Sequence, residues 1–288
     1  MHHEFSAEAP VMTTSTADEG RSVSASPPPG VALSDADLAT SLARTAAQRL
    51  HELRGLLRDL APEEIKRRGD VEGQRVLAAG LATARPGDAV LSEEAADVGA
   101  RLEAARVWII DPLDGTREFS EGRADWAVHV ALWEEGALVA GAVALGSLDV
   151  VLTTNPPPVV PRRDDRFPLR MAVSRSRPPA VATRVADTLG ADLVAMGSAG
   201  VKVAAVVRGD ADLYVHGGGQ YEWDSAAPVA VARAAGLHTS RLDGSPLRYN
   251  QPDPFLPDLV VCRPELRQQV LTVLRELGAT RERTAGAR

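Results

Sequence analysis

Trp108-Ile109-Ile110-Asp111-Pro112-Leu113-Asp114-Gly115-Thr116 reads as an apolar strand that stops abruptly at two carboxylates, a proline and a glycine. Open α/β sheets place ligand sites at the carboxyl ends of their strands, so the position suits a binding site. Asp111 and Asp114 lie three apart across a tight turn and could both point at one cation. Hard cations such as Mg²⁺ take a few carboxylate oxygens and fill the remaining positions with waters and substrate phosphate. Gly115 and Thr116 would follow as a turn or first helical residues, offering backbone N–H groups to a phosphate oxygen. An Asp-x-x-Asp alone is usually a surface turn; the whole string is far more specific.

Two further acidic sites lie outward from this one. Glu93-Glu94 follows the short apolar strand Ala89-Val90-Leu91-Ser92, and Asp224 sits in Trp223-Asp224-Ser225-Ala226-Ala227, the opening of a small-residue helix. Taken singly, the glutamates describe a solvated face and Asp224 a residue favoured by the helix dipole. All three sites fall at element boundaries, and one metal cluster accounts for them together.

Composition sets the frame. Hydrophobic residues make up 44% and charged residues 25% of the 288, an ordinary soluble globular balance. A net charge of −7 argues against nucleic acid as a partner, because phosphate backbones call for clustered Lys and Arg. Bound cations would still let a small phosphorylated ligand in. Cys262 is the only cysteine, which excludes an internal disulfide or a cysteine-rich zinc site and fits a reducing compartment. There is no bilayer-length apolar run and no basic-then-apolar signal pattern, so the expectation is a cytoplasmic protein without a membrane partner.

Residues 1–31, rich in Ala, Ser, Thr, Glu and Pro, predict a disordered tail. Ser34 is a candidate N-cap before Leu38, Leu42, Ala46, Leu50, Leu53 and Leu57, which recur at helical spacing. A second helix is predicted from about Asp70 to Ala84. Strands are expected near 89–91, 107–110, 127–133, 138–145, 150–153, 169–173 and 213–215, with helices near 179–189, 200–208, 223–235 and 264–277. A proline-rich linker at 156–168 would divide an N-terminal α+β half, 32–155, from a C-terminal α/β half, 169–288. The mixed order predicts a layered α/β fold. In the apolar strand 126–133, His129 reads as a structural histidine.

These motifs resemble the inositol monophosphatase superfamily of lithium-sensitive, magnesium-dependent phosphatases. Asp111 to Thr116 matches its Asp-Pro-Ile/Leu-Asp-Gly-Thr string, Trp223 to Ala227 its Trp-Asp-x-Ala-Ala, and Ser92-Glu93-Glu94 its Gly-Glu-Glu. The resemblance runs from about residue 34 to 278 and implies an αβαβα sandwich of the sugar-phosphatase type. It implies two to three Mg²⁺ ions held by Glu93, Asp111, Asp114, Asp224 and the Leu113 carbonyl, and a homodimer. Asp70, 23 residues before Glu93, stands where the family keeps an aspartate bonded to the motif threonine, here Thr116. Val173-Ser174-Arg175-Ser176 and Gly197-Ser198-Ala199-Gly200-Val201-Lys202 resemble the CysQ-type branch, which acts on 3′(2′),5′-bisphosphate nucleotides in sulfate assimilation. Gly217 replaces the glutamate that contacts inositol in the inositol phosphatases.

The expected chemistry is in-line attack on a phosphate monoester by a metal-activated water. Glu93, Asp70 and Thr116 would be catalytic, the last two as a relay that orients the water. Glu93, Leu113, Asp114, Gly115, Thr116, Ser174, Arg175, Ser198, Lys202 and Asp224 would line the substrate, with Lys202 and Arg175 facing the phosphate that is not cleaved, or the ribose. Inositol monophosphate and fructose 1,6-bisphosphate are the alternative substrates, and a catalytically silent nucleotide or metal sensor the non-enzymatic one. A haloacid-dehalogenase phosphatase would need Asp-x-Asp-Gly-Thr, and here Leu113 occupies the nucleophile's place.

Overall fold

The computed structural model describes residues 33–97, 99–146 and 149–279; the tail expected over 1–31 lies outside them. Helix α1 (Asp35–Leu57) starts where the Ser34 Oγ accepts the Asp37 N–H, and it buries Leu38, Leu42, Ala46 and Leu50 along one stripe. Helix α2 (Pro62–Ala84) begins eight residues before the expected Asp70. Pro62 at its first position, with Glu63 and Glu64 in the first turn, explains the early start. Lys66 to Asp70 are therefore helical, and Asp70 lies just over two turns inside the helix.

Five strands follow: β1 (Ala89–Ser92), β2 (Arg106–Asp114), β3 (Ala127–Glu134), β4 (Ala137–Leu145) and β5 (Val150–Thr153), paired in that order into one sheet. The short helix α3 (Thr116–Ser120) leaves the end of β2. Side chains alternate across this sheet. Trp108, Ile110, Val128, Val130 and Leu132 face α1 and α2. Val107, Ile109, Ala127, Ala131 and Val143 face the opposite way, into a second core.

Residues 156–168 contain no helix or strand. Beyond them come β6 (Arg170–Ser174), α4 (Ala180–Leu189), β7 (Asp192–Met196), α5 (Ala199–Arg208), β8 (Leu213–His216), β9 (Gln220–Tyr221), α6 (Glu222–Ala234), β10 (His238–Ser240), β11 (Phe255–Leu256), β12 (Leu259–Cys262) and α7 (Arg267–Glu276). The second large sheet runs β10-β12-β8-β6-β7. Strand β7 was not expected from sequence; it is a half-exposed edge strand whose short apolar run, Leu193 to Met196, follows directly on α4 and Gly190 without alternation to mark a strand.

Helices α5 and α6 are packed between the two sheets, with Val203, Val206, Val229 and Val231 in the shared core. On the far side of the second sheet, α4 and α7 cover Met171, Val173, Val215 and Val260. The order is helices, sheet, helices, sheet, helices: the αβαβα layering implied by the resemblance.

Candidate active site

Pairing of β1 and β2 sets the first part of the site. They run parallel with Ser92 opposite Ile110, so the next residues along, Glu93 and Asp111, stand side by side, Glu93 just past the end of β1 and Asp111 still paired with β3. Their carboxyl groups come within hydrogen-bonding reach. The β2–β3 pairing shifts register between Asp111 and Asp114, where Pro112 and Leu113 turn the chain. Gly115 then takes φ +90, a left-handed conformation that favours glycine. Gly73 on α2 packs directly against this turn; a Cβ there would stand 2.8 Å from the Pro112 carbonyl oxygen.

Asp224 arrives from the first turn of α6, where its Oδ2 accepts the Tyr221 N–H at 2.6 Å. Ligand atoms of Asp111, Asp114 and Asp224 all lie within 4.8 Å of one another. Asp111 is fully buried; its Oδ1 accepts the Leu113 N–H at 3.0 Å, while Oδ2 has no hydrogen-bond partner among the described residues. Asp114 is bound on both oxygens by the start of α5: Ala199 N at 3.1 Å, Gly200 N at 2.6 Å, and the Ser198 hydroxyl. Ser198 itself holds φ +50, an uncommon conformation sustained by its bonds to Asp114 and to the Val201 N–H.

The electrostatics are those of uncompensated like charge. Burial, then Asp114, Glu94 and Asp70, push Glu93 up to about 7. Burial and Asp114 do the same to Asp224. Burial raises Asp111 well above the carboxylate range, with Asp114, Glu93 and Asp224 adding to it. Asp70 is pushed up to about 7 by burial and then by Glu94. An all-carboxylate donor set, mutually repelling and with one buried oxygen unpartnered, fits a hard divalent cation.

Beside the cluster opens a cavity of about 550 Å³, lined among others by Asp114, Asp224, Ser174, Arg177, Lys202 and His216. Lys202 is buried and its Nζ donates to the carbonyls of Gly197, at 3.2 Å, and Ser198. Burial lowers its pKa. Of the residues expected to line the substrate, Ser174, Ser198, Lys202, Asp114 and Asp224 meet here.

Two expected arrangements are absent. Arg175 is held by Glu118 at 2.9 Å and Glu121 at 2.7 Å, so its charge is spent on the region of α3. Arg177, two residues on, lines the cavity instead. Thr116 donates to the Leu113 carbonyl at 3.3 Å, and among the described residues no hydrogen bond joins it to Asp70. The reason is placement: Asp70 belongs to the body of α2, beside Lys66 and Glu94. Arg177 and His216 were not singled out from sequence. Arg177 follows the Ser-Arg-Ser run, the one local signal for it; His216, at the end of β8, carried none.

A five-layered sandwich with a carboxylate cage at its strand ends defines a class, and the chain belongs to it: it is a member of the inositol monophosphatase family, matched over residues 35–155 and 160–278. It is 49% identical over 263 residues to the 3′-phosphoadenosine 5′-phosphate phosphatase of Mycobacterium leprae (strain TN), a match spanning 85% of this chain and 95% of that one. To the 3′(2′),5′-bisphosphate nucleotidase CysQ of Escherichia coli (strain K12) it is 32% identical over 198 residues, 65% of this chain and 80% of that one. Among solved structures, inositol monophosphatase-II from Staphylococcus aureus MSSA476 superimposes with TM-score 0.73 at 19% identity, covering 87% of this chain and 98% of that one. CysQ from Bacteroides thetaiotaomicron gives TM-score 0.64 at 25% identity, covering 79% and 96%.

Proposed function

We propose that this chain is a magnesium-dependent phosphomonoesterase that removes the 3′-phosphate from 3′-phosphoadenosine 5′-phosphate and related bisphosphate nucleotides. The observation that carries the reading is the mutual approach of Asp111, Asp114 and Asp224 at the mouth of a cavity that also holds Lys202, Arg177 and His216. The likeness to relatives named for that activity supports the substrate.

Glu93, Asp111 and the Leu113 carbonyl would hold one Mg²⁺, and Asp111, Asp114 and Asp224 a second; a third would sit toward Asp70 and Glu94. Held by these residues, the metal would supply a water of lowered pKa and neutralisation of the charge developing on the phosphoryl oxygens. The chain's own residues do the rest. Gly115 and Thr116 present backbone N–H groups at the start of α3 to a phosphate oxygen. Asp70, beside Glu94, would orient a water on the ion nearest it. Lys202 and Arg177 would supply positive charge for the phosphate that stays on the nucleotide.

The reading includes a cytoplasmic homodimer; among the described residues no helix is long and apolar enough to cross a membrane, and the mass in solution tests the dimer. Phosphate release from 3′-phosphoadenosine 5′-phosphate, inositol 1-phosphate and fructose 1,6-bisphosphate, each with and without Mg²⁺, tests the activity. The expected result is Mg²⁺-dependent release with the highest kcat/KM on the nucleotide. No release, or a preference for inositol 1-phosphate, overturns it.

A further inference from the structure

His129 is fully buried on β3, directly across the strand pair from Asp111. Its Nδ1 lies 3.2 Å from the Trp223 carbonyl oxygen and 4.0 Å from Asp111 Oδ2. Its Nε2 lies 3.3 Å from Asp114 Oδ2. A carbonyl only accepts, so the Trp223 bond puts the proton on Nδ1. One side chain thus reaches both segments that carry the clustered aspartates, the end of β2 and the start of α6. Space is kept for it by Gly200, where a Cβ would fall 2.0 Å from Nε2.

Helix α6 needs a hold at that point. Pro228 lies inside the helix and has no N–H for the carbonyl of Asp224, four residues back, so the first turn is short of one rung of its own ladder. Three carboxylates within 4.8 Å also push the turn bearing Asp224 away from β2.

We propose that His129 is a positioning residue, whose imidazole clamps the Trp223 carbonyl to β3 and so keeps Asp224 at ion-sharing distance from Asp111 and Asp114. This rests on the reading of those three carboxylates as metal ligands. A histidine that merely filled the core would affect stability and leave metal affinity alone.

Mn²⁺ binding to the metal-free full chain, measured by isothermal titration, separates these roles. Outer partners of ligand-bearing groups typically govern metal affinity by about 10–100-fold, and a loss of that size is expected for His129→Leu. His129→Asn keeps an N–H donor toward the carbonyl and should stay within about threefold of the parent on the same scale. KM for the nucleotide at saturating metal should hardly move in either variant. Should the Leu variant not fold, His129→Thr, too short to reach the carbonyl, is read in its place. Parent-like affinity in the Leu or Thr variant overturns the proposal, as does an Asn variant as weak as Leu. Asp111→Asn is the control. If it binds Mn²⁺ normally, the ligand reading itself fails; if it loses binding while His129→Leu keeps it, only the role of His129 fails.

Discussion

The Asp114 carboxylate accepts the backbone N–H of Gly200 at 2.6 Å across 86 residues of chain. With the Ala199 N–H and the Ser198 hydroxyl it caps α5 from outside, so a strand-end aspartate of the first sheet holds a helix that packs between the sheets. Lys202, in the first turn of α5, is delivered to the cavity by the same carboxylate that would bind metal. Ion site and anion site are thereby tied to each other.

Asp111→Asn separates function from stability. Its Oδ2 is buried without a partner, and an ionised carboxylate in that position costs folding free energy. The metal-free variant should melt at a higher temperature than the parent while kcat/KM falls roughly 1,000-fold, about 4 kcal/mol. Differential scanning calorimetry in EDTA, paired with phosphate release in Mg²⁺, checks both. A lower melting temperature would contradict the repulsive character assigned to the cluster.

Stability of the metal-free protein should fall as pH rises toward 8. Glu93 and Asp224 move from ordinary values of 4.5 and 3.8 to about 7 in the fold. Between roughly pH 4 and 7 the folded chain therefore binds more protons than the unfolded chain. The contribution is whole below the ordinary values and is lost as pH passes 7. Tm measured in EDTA at pH 5, 6, 7 and 8 should decline, and Asp224→Asn should reduce the slope. Excess Mg²⁺ should restore the loss, adding about 2.7 kcal/mol at a hundred times its Kd. A pH-independent Tm sinks this account.

Gly73→Val should damage the site from a distance. The added Cβ would lie 2.8 Å from the Pro112 carbonyl oxygen and 3.0 Å from its Cβ, so α2 or the turn between Asp111 and Asp114 must shift. Overpacking of this kind costs about 1–3 kcal/mol. Denaturant unfolding should register that cost, and kcat should fall at saturating substrate. Full activity in Gly73→Val would show that the turn tolerates displacement.

The three basic residues near the cavity should behave differently. Lys202→Ala and Arg177→Ala are expected to raise KM for the bisphosphate nucleotide more than for a simple monophosphate, by about tenfold, or 1.4 kcal/mol, each. Arg175→Ala breaks the pairs with Glu118 and Glu121 and should lower Tm with little change in KM. Steady-state kinetics on both substrates decides it; a larger KM effect from Arg175 than from Arg177 would reverse the assignment.

The sequence by itself determined which residues could form a cation cage. Asp111-Pro112-Leu113-Asp114-Gly115-Thr116, Glu93-Glu94 and Trp223-Asp224 are local strings, and the nearly unbroken apolar runs of β2, β3 and β4 mark strands buried on both faces. The mixed order of helices and strands predicts a layered α/β fold, and the αβαβα layering is what the family resemblance implies. Tertiary structure alone decided that Glu93 stands beside Asp111, because the parallel register between β1 and β2 pairs residues 18 apart in the chain and seats Leu91 with Ile109 in the core between the sheets. It also decided that Arg177 faces the cavity while Arg175 turns to Glu118 and Glu121, a competition between partners more than 50 residues apart that no local pattern encodes. Asp70 fell within α2 instead of at its start, and His129 came to lie between Asp111, Asp114 and Trp223. Such placements arise where long-range pairing brings groups together, and long-range pairing leaves no trace in the spacing of neighbours along the chain.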